Sequence, residues 1–549
     1  MLGNMQRHAL GVGTLIDFAE RNHGDAEIVS RRVEEDIHRT TWRQVAARAR
    51  RIARWLDGRK IGAAERVATI AWNGYRHLEL YYGVSASGRV LHTLNPRLSL
   101  AQLAWIINDA DDRVVCFDLN FLPLVQAVRA QCPGVRHWVA LSNADRLPDG
   151  DEQPAIESYE TLLDGESDAP YTWPASNADA ASSLCYTSGT TGNPKGVLYS
   201  HLSTILHAYA VALPDSLNLS SRNCVLAVVP MFHVNAWGLP YAAALTGAKL
   251  VLPGPLLDGK SVYQLIEAEA VDVAAGVPTV WQMLLDHVAT HGLQFSTLQR
   301  TVVGGSACPA AMIDAFRDRY GIDTVHAWGM TELSPLGTVN TLKRKHLALP
   351  AEQQHALRLK QGRAVFGVEM RLLDAQGAEL PFDGCSAGEL AVRGPWVVER
   401  YFNQDADALE DGWFRTGDIA TIDEDGYLQI TDRAKDVIKS GGEWISSIDV
   451  ENIAMEHPQV AMAACIAIPH PKWDERPLLV VVAKPGTELT ERAVLQFIGG
   501  RLPKWQVPDD VVFVESLSIG ATGKIVKHQL RERFADHAVQ MKEVAETLV

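Results

Sequence analysis

Residues 185–200 read CYTSGTTGNPKGVLYS. Ser188, Gly189, Thr190, Thr191 and Gly192 crowd hydroxyls and glycines together, and Lys195-Gly196 closes the run behind Pro194. Glycine permits tight turns that a Cβ would obstruct. Successive backbone N–H groups in such a turn form an anion nest. Hydroxyls add donors and the lysine adds a point charge, so the set suits a polyphosphate. The string is not GxxxxGK[ST], because its lysine follows Pro and precedes Gly; the loop must take a different course. A Ser/Thr/Gly-rich run is also an ordinary surface loop, and the rest of the chain has to decide between the two.

Outward from this stretch, composition sets the bounds. The chain has 549 residues, 47% apolar and 21% charged, a mix normal for a soluble protein with several units of ordinary domain size. A formal charge of −15 argues against a nucleic-acid partner, whose footprint would be a basic stripe. Seven scattered cysteines, with no CxxC pair and no zinc cluster, fit a reducing cytosol. The first residues, MLGNMQRHALGVGTL, lack an apolar signal core, and no apolar run is long enough for a membrane span.

Upstream, residues 1–180 alternate helix and strand signals. Thr41 and Gln44 form a capping box ahead of Val45, Ala46, Ala49, Ile52, Ala53 and Leu56 at helical spacing. Val67–Ala71 is a strand running into the turn Trp72-Asn73-Gly74. Ser99 and Gln102 cap a helix to Asp109, and Val114–Phe117 is the next strand. Residues 144–180 are polar and proline-rich and read as a surface connection. Downstream, strands at Val225–Pro230, Lys249–Leu252, Val273–Gly276 and Thr301–Val303 alternate with helices at Leu239–Leu245 and Trp281–Val288. Pro309 stands where a further helix can begin. This rhythm predicts an α/β fold of largely parallel sheets covered by helices, with functional loops at the carboxyl ends of the strands. Near residue 432 the chain turns charge-dense, and a second, α+β domain of about 115 residues follows. Its elements are helices at Ile448–Met455 and Glu491–Ile498 and strands at Val460–Ile468 and Leu478–Val482. The division is 1–431 and 432–549.

Several residues can carry chemistry, and each also has a plainer reading. His233 lies in a strand-end loop, as a packed histidine or as a donor to a carboxylate or phosphate. Trp237, beside Gly238, is core packing or the wall of an apolar ligand site. Trp328-Gly329 offers an aromatic face beside open backbone; Thr331-Glu332 is a helix cap or a hydroxyl–carboxylate pair for Mg²⁺. Asp418, in a tight turn after Thr416-Gly417, makes an Asx turn or accepts two ribose hydroxyls, with Arg433 as its partner. Ser440-Gly441-Gly442-Glu443 reads as an open loop. Lys524, framed by small residues on a loop, is a solvated lysine or a clamp for developing negative charge.

In this order the segments TSGTTGNPKG, VPMFHVNAWG, VVGGSACP, HAWGMTELSP, WFRTGD, DRAKDVIKSGGEWIS and KWDERP resemble the adenylate-forming enzymes, over about residues 30–535. That superfamily comprises acyl-CoA synthetases, luciferases and peptide-synthetase adenylation domains. The wording is most similar to medium- and long-chain fatty acyl-CoA synthetases and to methylmercaptopropionate-CoA ligases. The resemblance implies a large N-terminal domain of helix-covered sheets and a small mobile C-terminal domain. It implies ATP, Mg²⁺ and coenzyme A, and a carboxylate that becomes an acyl-adenylate and then a thioester. Residue by residue, it assigns Thr187 to Lys195 to the β/γ-phosphates, Thr187 and Glu332 to the metal, and Thr331 to the α-phosphate. His233 and Trp237 fall to the acid, Trp237 at the position of an acyl-tunnel gate. Gly305, Ser306, Ala307, His326, Ala327, Trp328 and Gly329 would line adenine and the acyl group. Asp418 and Arg433 would hold ribose, Asp432 matches the hinge, and Lys439, Ser440, Gly441, Gly442 and Trp444 would border the CoA passage. Lys524 matches the adenylation lysine. Two departures stand out: Trp444 replaces the common Asn, and Ser518-Ile519-Gly520 replaces a Pro-Arg segment ahead of that lysine. The resemblance also implies a cytoplasmic homodimer and peripheral contact with membranes, where fatty substrates partition. Three readings follow: a fatty acyl-CoA ligase, a ligase for a short, aryl or sulfur-containing acid, and a non-catalytic nucleotide-binding homologue.

Overall fold

The computed structural model describes residues 3–6, 8–147, 155–174, 177–187, 193–440, 443–520, 525–535 and 537, with only the backbone at Glu443 and Trp444. They form two compact units, one of residues 1–308, 312–370 and 392–414, the other of residues 309–311, 371–391 and 415–549.

The first unit carries two large sheets. One has the strand order Ile156–Ser158, His137–Ala140, Asp112–Phe117, Arg66–Ile70, Val90–Thr93, Ala181–Tyr186, Gly196–Ser200. All its pairs are parallel except the last, a hairpin that brackets the glycine-rich stretch. The other runs Arg363–Ala364, Leu336–Val339, Asp323–Gly329, Arg300–Val303, Val273–Gly276, Cys224–Ala227, Lys249–Leu252, Glu27–Arg31, Ile37–Thr41. Its centre is parallel and its two edges antiparallel. Central strands of this kind are buried on both faces, which is why they read as continuous apolar runs. Helices cover them: Trp281, Leu284 and Phe316 pack over the second sheet, and Leu103, Ile107 and Val125 over the first.

Most predicted elements are present with shifted ends. Ser99 and Gln102 form the capping box of the helix Leu100–Asp109. The helix expected from Trp281 begins at Pro278 and runs to His291, with proline in its first turn. The strand expected to reach Pro230 stops at Ala227, because Val228 and Val229 both donate to the Ala275 carbonyl and the chain leaves the ladder. The connection 144–180 contains more than a surface loop. Ile156–Ser158 adds an edge strand and Tyr159–Asp164 a helix that buries Tyr159 and Leu163. A three-residue strand leaves no periodicity to detect. An N-terminal helix, Val12–His23, buries Val12, Leu15, Ile16 and Ala19, a helical spacing that was visible in the sequence.

In the second unit, Asp474–Ala483 pairs antiparallel with Val460–His470 and parallel with Asp510–Phe513. Alternate residues of Val460–His470 serve two cores. Ala463 and Cys465 face the helices Ser447–Met455 and Glu491–Gly499, whereas Ala464, Ile466 and Ile468 share a cluster with Leu517 and Leu530. The helix Lys527–Arg533 carries Leu530.

Candidate active site

The strands Ala181–Tyr186 and Gly196–Ser200 hold the ends of the glycine-rich loop together. Thr187 N–H donates to the Lys195 carbonyl at 2.9 Å, and Lys195 N–H donates to Thr187 Oγ1 at 3.3 Å. Ser188 to Gly192 lie outside the described residues. Gly196 sits in a tight spot: a Cβ there would meet the side chains of Phe402, Tyr186 and Leu184 at 3.0–3.2 Å. Lys195 Nζ sits 4.8 Å from the centre of the Tyr401 ring, and the hydroxyl of that tyrosine donates to Glu332 Oε1 at 2.9 Å. Tyr199 donates to the Thr331 carbonyl at 2.6 Å, and Val398 N–H donates to the Glu332 carbonyl at 2.7 Å. The predicted lysine, threonine and glutamate are thus gathered around two tyrosines that sequence reasoning missed. Thr331 and Glu332 are both buried. One carboxylate with neighbouring hydroxyls fits Mg²⁺, which completes its shell with phosphate oxygens and water rather than an all-protein cage.

The loop that presents His233 and Trp237 is fastened by Asn73. Its amide donates to the carbonyls of Ala227 (2.7 Å) and Val229 (2.8 Å) and accepts from Met231 N–H at 2.6 Å. Beyond His233 the chain makes an unusual turn. Val234, Asn235, Ala236 and Trp237 have φ of 46°, 50°, 47° and 55°, and Gly238 follows at 76°. The left-handed region costs an ordinary L-residue about 1–2 kcal/mol and an asparagine less, so Val234, Ala236 and Trp237 together store roughly 3–6 kcal/mol. Asn235 anchors the turn: Nδ2 donates to Ser183 Oγ at 2.9 Å, and Oδ1 faces the Tyr81 hydroxyl at 3.3 Å and the Cys185 thiol at 3.5 Å. Gly238 closes it against His207, whose Nδ1 would lie 2.6 Å from a Cβ at that position. Burial pushes the His207 pKa down to about 3, and its Nε2 accepts from Leu336 N–H at 3.1 Å.

Trp237, half-buried, lays the edge of its indole on the turn after Arg300–Val303: a Cβ at Gly304 would lie 3.1 Å from its Cη2, and one at Gly305 would lie 3.9 Å from Cζ2. Gly305 has φ of 83°; Ser306 is exposed and Ala307 half-buried. The structure therefore brings Trp237, Gly305 and the strand of Ala327 to one place, with the Ala327 carbonyl 3.1 Å from a Cβ at Gly304. At Gly329 a Cβ would stand 2.0 Å from the Pro335 carbonyl oxygen, so only glycine fits. Trp328 is buried over Gly337. The His326 side chain is buried, its Nδ1 3.3 Å from the Leu359 carbonyl, and burial holds its pKa at about 4.

Within the second unit, Asp418 and Arg433 are register partners on adjacent strands, with Arg433 Nε donating to Asp418 Oδ1 at 2.7 Å. The tight turn expected at Asp418 is instead part of one strand, Trp413–Ile422, in which Gly417 takes φ of 70° without ending it. Flanking the open loop expected at 440–443, Ser440 pairs with Glu443 and Lys439 with Trp444. Lys439 N–H donates to Glu475 Oε2 at 2.7 Å, and Arg476 Nη1 donates to Ser440 Oγ at 3.1 Å. Gly441 and Gly442 lie outside the described residues, as does Lys524. On either side of that lysine, Ile519 bridges to Ile525 and Val526 N–H donates to the Ser518 carbonyl. Asp432 is buried and accepts from the N–H and Oγ of Ser447 at 2.6 and 2.9 Å. Ser447 Oγ in turn accepts from Lys527 Nζ at 2.6 Å, and Lys527 pairs with Glu451 at 2.7 Å. Burial raises the pKa of both carboxyls, against the pull of Lys527.

Comparison with known proteins follows the same outline. The family model for AMP-binding enzyme matches residues 16–402, and that for the AMP-binding enzyme C-terminal domain matches residues 449–524. A 3-methylmercaptopropionyl-CoA ligase of Ruegeria lacuscaerulensis is 52% identical over 539 residues, covering 98% of this chain and 99% of the relative. A medium-chain-fatty-acid–CoA ligase of Ectopseudomonas oleovorans is 51% identical over 537 residues, 98% of each. The crystal structure of the anthranilate CoA ligase AuaEII with anthranoyl-AMP superposes with a TM-score of 0.85 at 23% identity, covering 98% of this chain and 99% of that one. At that identity the likeness speaks to the fold: a large mixed α/β domain with a smaller C-terminal domain.

Proposed function

Because this chain belongs to the AMP-binding enzyme family, and is an ATP-dependent ligase that joins a carboxylic acid to coenzyme A through an acyl-adenylate, we propose that its acid is a fatty acid of medium to long chain. The observation that carries this reading is the apolar indole of Trp237, laid across the Gly304-Gly305 turn at the end of a central strand. A wall of that kind suits an acid recognised by apolar contact and bounded in length. A second reading, a short thioether acid, is favoured by the 52% identity to the 3-methylmercaptopropionyl-CoA ligase.

The chemistry follows from charge. A carboxylate resists nucleophilic attack, and adenylation converts it into an electrophile with a good leaving group. Negative charge gathers on the α-phosphate during that step, and preorganised donors stabilise it. In this reading Lys195 and the glycine-rich turn hold the β/γ-phosphates. Thr331 and His233 orient the α-phosphate and the acid. Lys524 meets the charge developing between them. Thr187 and Glu332 hold Mg²⁺, which when bound neutralises phosphate charge. Trp328, Gly305 to Ala307 and His326 to Gly329 enclose adenine and the acyl end. Asp418 and Arg433, already paired, take the ribose hydroxyls. Lys439 to Gly442 and Trp444 border the path of the CoA thiol after the C-terminal domain, residues 432–549, turns about Asp432. A cytoplasmic homodimer with peripheral membrane contact completes the proposal. Among the described residues no helix is long and apolar enough to cross a membrane.

Purified protein, ATP and Mg²⁺ should release AMP and form thioester with acids from hexanoate to palmitate, assayed beside acetate, phenylacetate, cinnamate and 3-methylthiopropionate. An optimum at 3-methylthiopropionate replaces the first reading with the second. ATP binding with no acid-dependent AMP release overturns both.

A further inference from the structure

We infer that Asn235 is a positioning residue for acid selection: through Ser183 and Cys185 it holds the left-handed turn that sets Trp237 against Gly304 and Gly305. The inference rests on the reading that Trp237 bounds the acyl site, and it adds what fixes the indole there. A tryptophan side chain has two χ angles and would swing freely on an ordinary loop. Here the backbone beneath it is held in a region that β-branched and bulky residues rarely enter, from Val234 through Trp237. Such a conformation persists only where its surroundings over-determine it. Those surroundings are Asn235, 3% exposed, with both ends of its amide engaged by residues of other elements. Ser183 and Cys185 lie on the strand Ala181–Tyr186, and Tyr81 on the helix Tyr75–Ala86. Tyr81 gives its single proton to the Met231 carbonyl at 2.5 Å, which pins the entry to the loop and leaves the Cys185 thiol as the donor to Asn235 Oδ1. At the exit, Gly238 abuts the His207 ring. The amide is the only side-chain hydrogen bonder among residues 234–238 that the turn itself supplies apart from the Trp237 indole N–H. Without it the backbone relaxes toward right-handed values and the indole leaves the glycine turn.

The test measures kcat/KM for octanoate and for palmitate in Asn235→Ala, Ser183→Ala, Trp237→Ala and the double variant Asn235→Ala/Trp237→Ala, with the KM for ATP in each. Asn235→Ala is expected to change the octanoate-to-palmitate ratio at least about ten-fold, the lower end of a methylene-sized change in an apolar pocket. Ser183→Ala should shift it in the same direction by less, and the ATP KM should stay within about two-fold in both. In the Trp237→Ala background, Asn235→Ala should move the ratio less than about two-fold, because its effect passes through the indole. An unchanged ratio in both Asn235→Ala and Ser183→Ala overturns the inference. So does a shift that adds in full to that of Trp237→Ala, or an equal loss for both acids with a raised ATP KM. Ser183→Ala leaves the asparagine in place and decides the matter where Asn235→Ala does not fold. If Trp237→Ala alone leaves the ratio unchanged, the reading of Trp237 fails and the inference with it; if Trp237→Ala shifts the ratio and the others do not, only the inference fails.

Discussion

Asp118 makes this protein less stable as pH rises through neutrality. It is buried just after the strand Asp112–Phe117, and its Oδ2 accepts from Trp72 N–H at 2.7 Å. Burial pushes its pKa from 3.8 to about 7, against smaller opposing pulls from that hydrogen bond and from Arg76. The folded state therefore binds the proton more tightly than the unfolded state. The resulting stabilisation is complete below about pH 4 and is lost as pH rises through about 7. A span of about three pKa units, at 1.36 kcal/mol each, makes the full loss about 4 kcal/mol. Asp118→Asn keeps an acceptor for Trp72 N–H and cannot ionise. Its stability relative to wild type should therefore climb with pH, by about 2–3 kcal/mol between pH 5 and pH 8. Urea unfolding of both proteins, followed by tryptophan fluorescence across that range, measures the difference at each pH. A difference that stays constant refutes the reasoning. The site has a stake in the result, because Trp72 is joined directly to Asn73, which fastens the loop leading to His233.

Two further outcomes follow from the second unit. Lys524→Ala should abolish acid-dependent AMP formation while sparing thioester formation from supplied acyl-adenylate and CoA; loss of both half-reactions would remove the adenylation role. Lys527→Met strands the Glu451 carboxylate and its neighbour Asp432; breaking one side of a fully buried pair costs about 3–5 kcal/mol, and breaking this pair, 13% exposed on each side, should cost less. It should lower the urea midpoint of the full chain, and adding Glu451→Gln should restore part of that loss; no recovery in the double variant would mean that the stranded charge is not the cause.

The sequence was most legible where a physical rule acts locally. Lys249–Leu252 and Val273–Gly276 are short apolar runs with turn residues beyond them, and both strands fall where expected. Ser99 and Gln102 satisfy each other within one turn of helix, so their pairing needs no tertiary knowledge. Asp418 and Arg433 could be matched because both positions belong to recognisable motifs, although the turn expected at Asp418 proved to be a strand. What stayed hidden depends on distant chain. Tyr199 and Tyr401 look like ordinary aromatics until the fold brings their hydroxyls to Thr331 and Glu332. Asn73 reads as a turn residue, yet its amide closes three hydrogen bonds to backbone more than 150 residues away. The left-handed run at Val234–Trp237 has no glycine to announce it, since the conformation is imposed from outside the segment.

The edge of the larger sheet also sets an order of events on the ribosome. Glu27–Arg31 and Ile37–Thr41 form an edge hairpin whose inner neighbour, Lys249–Leu252, pairs with Ile28, Val29 and Ser30. About 220 residues separate the two in the chain, so at 5–20 residues per second the hairpin waits roughly 10–40 s for its partner to be synthesised. During that interval Ile28 and Val29, fully buried in the finished fold, stand on an open strand edge that any other strand can join. A tag or chaperone that covers the first 41 residues during that interval should raise the yield of soluble protein without altering the stability of the mature molecule.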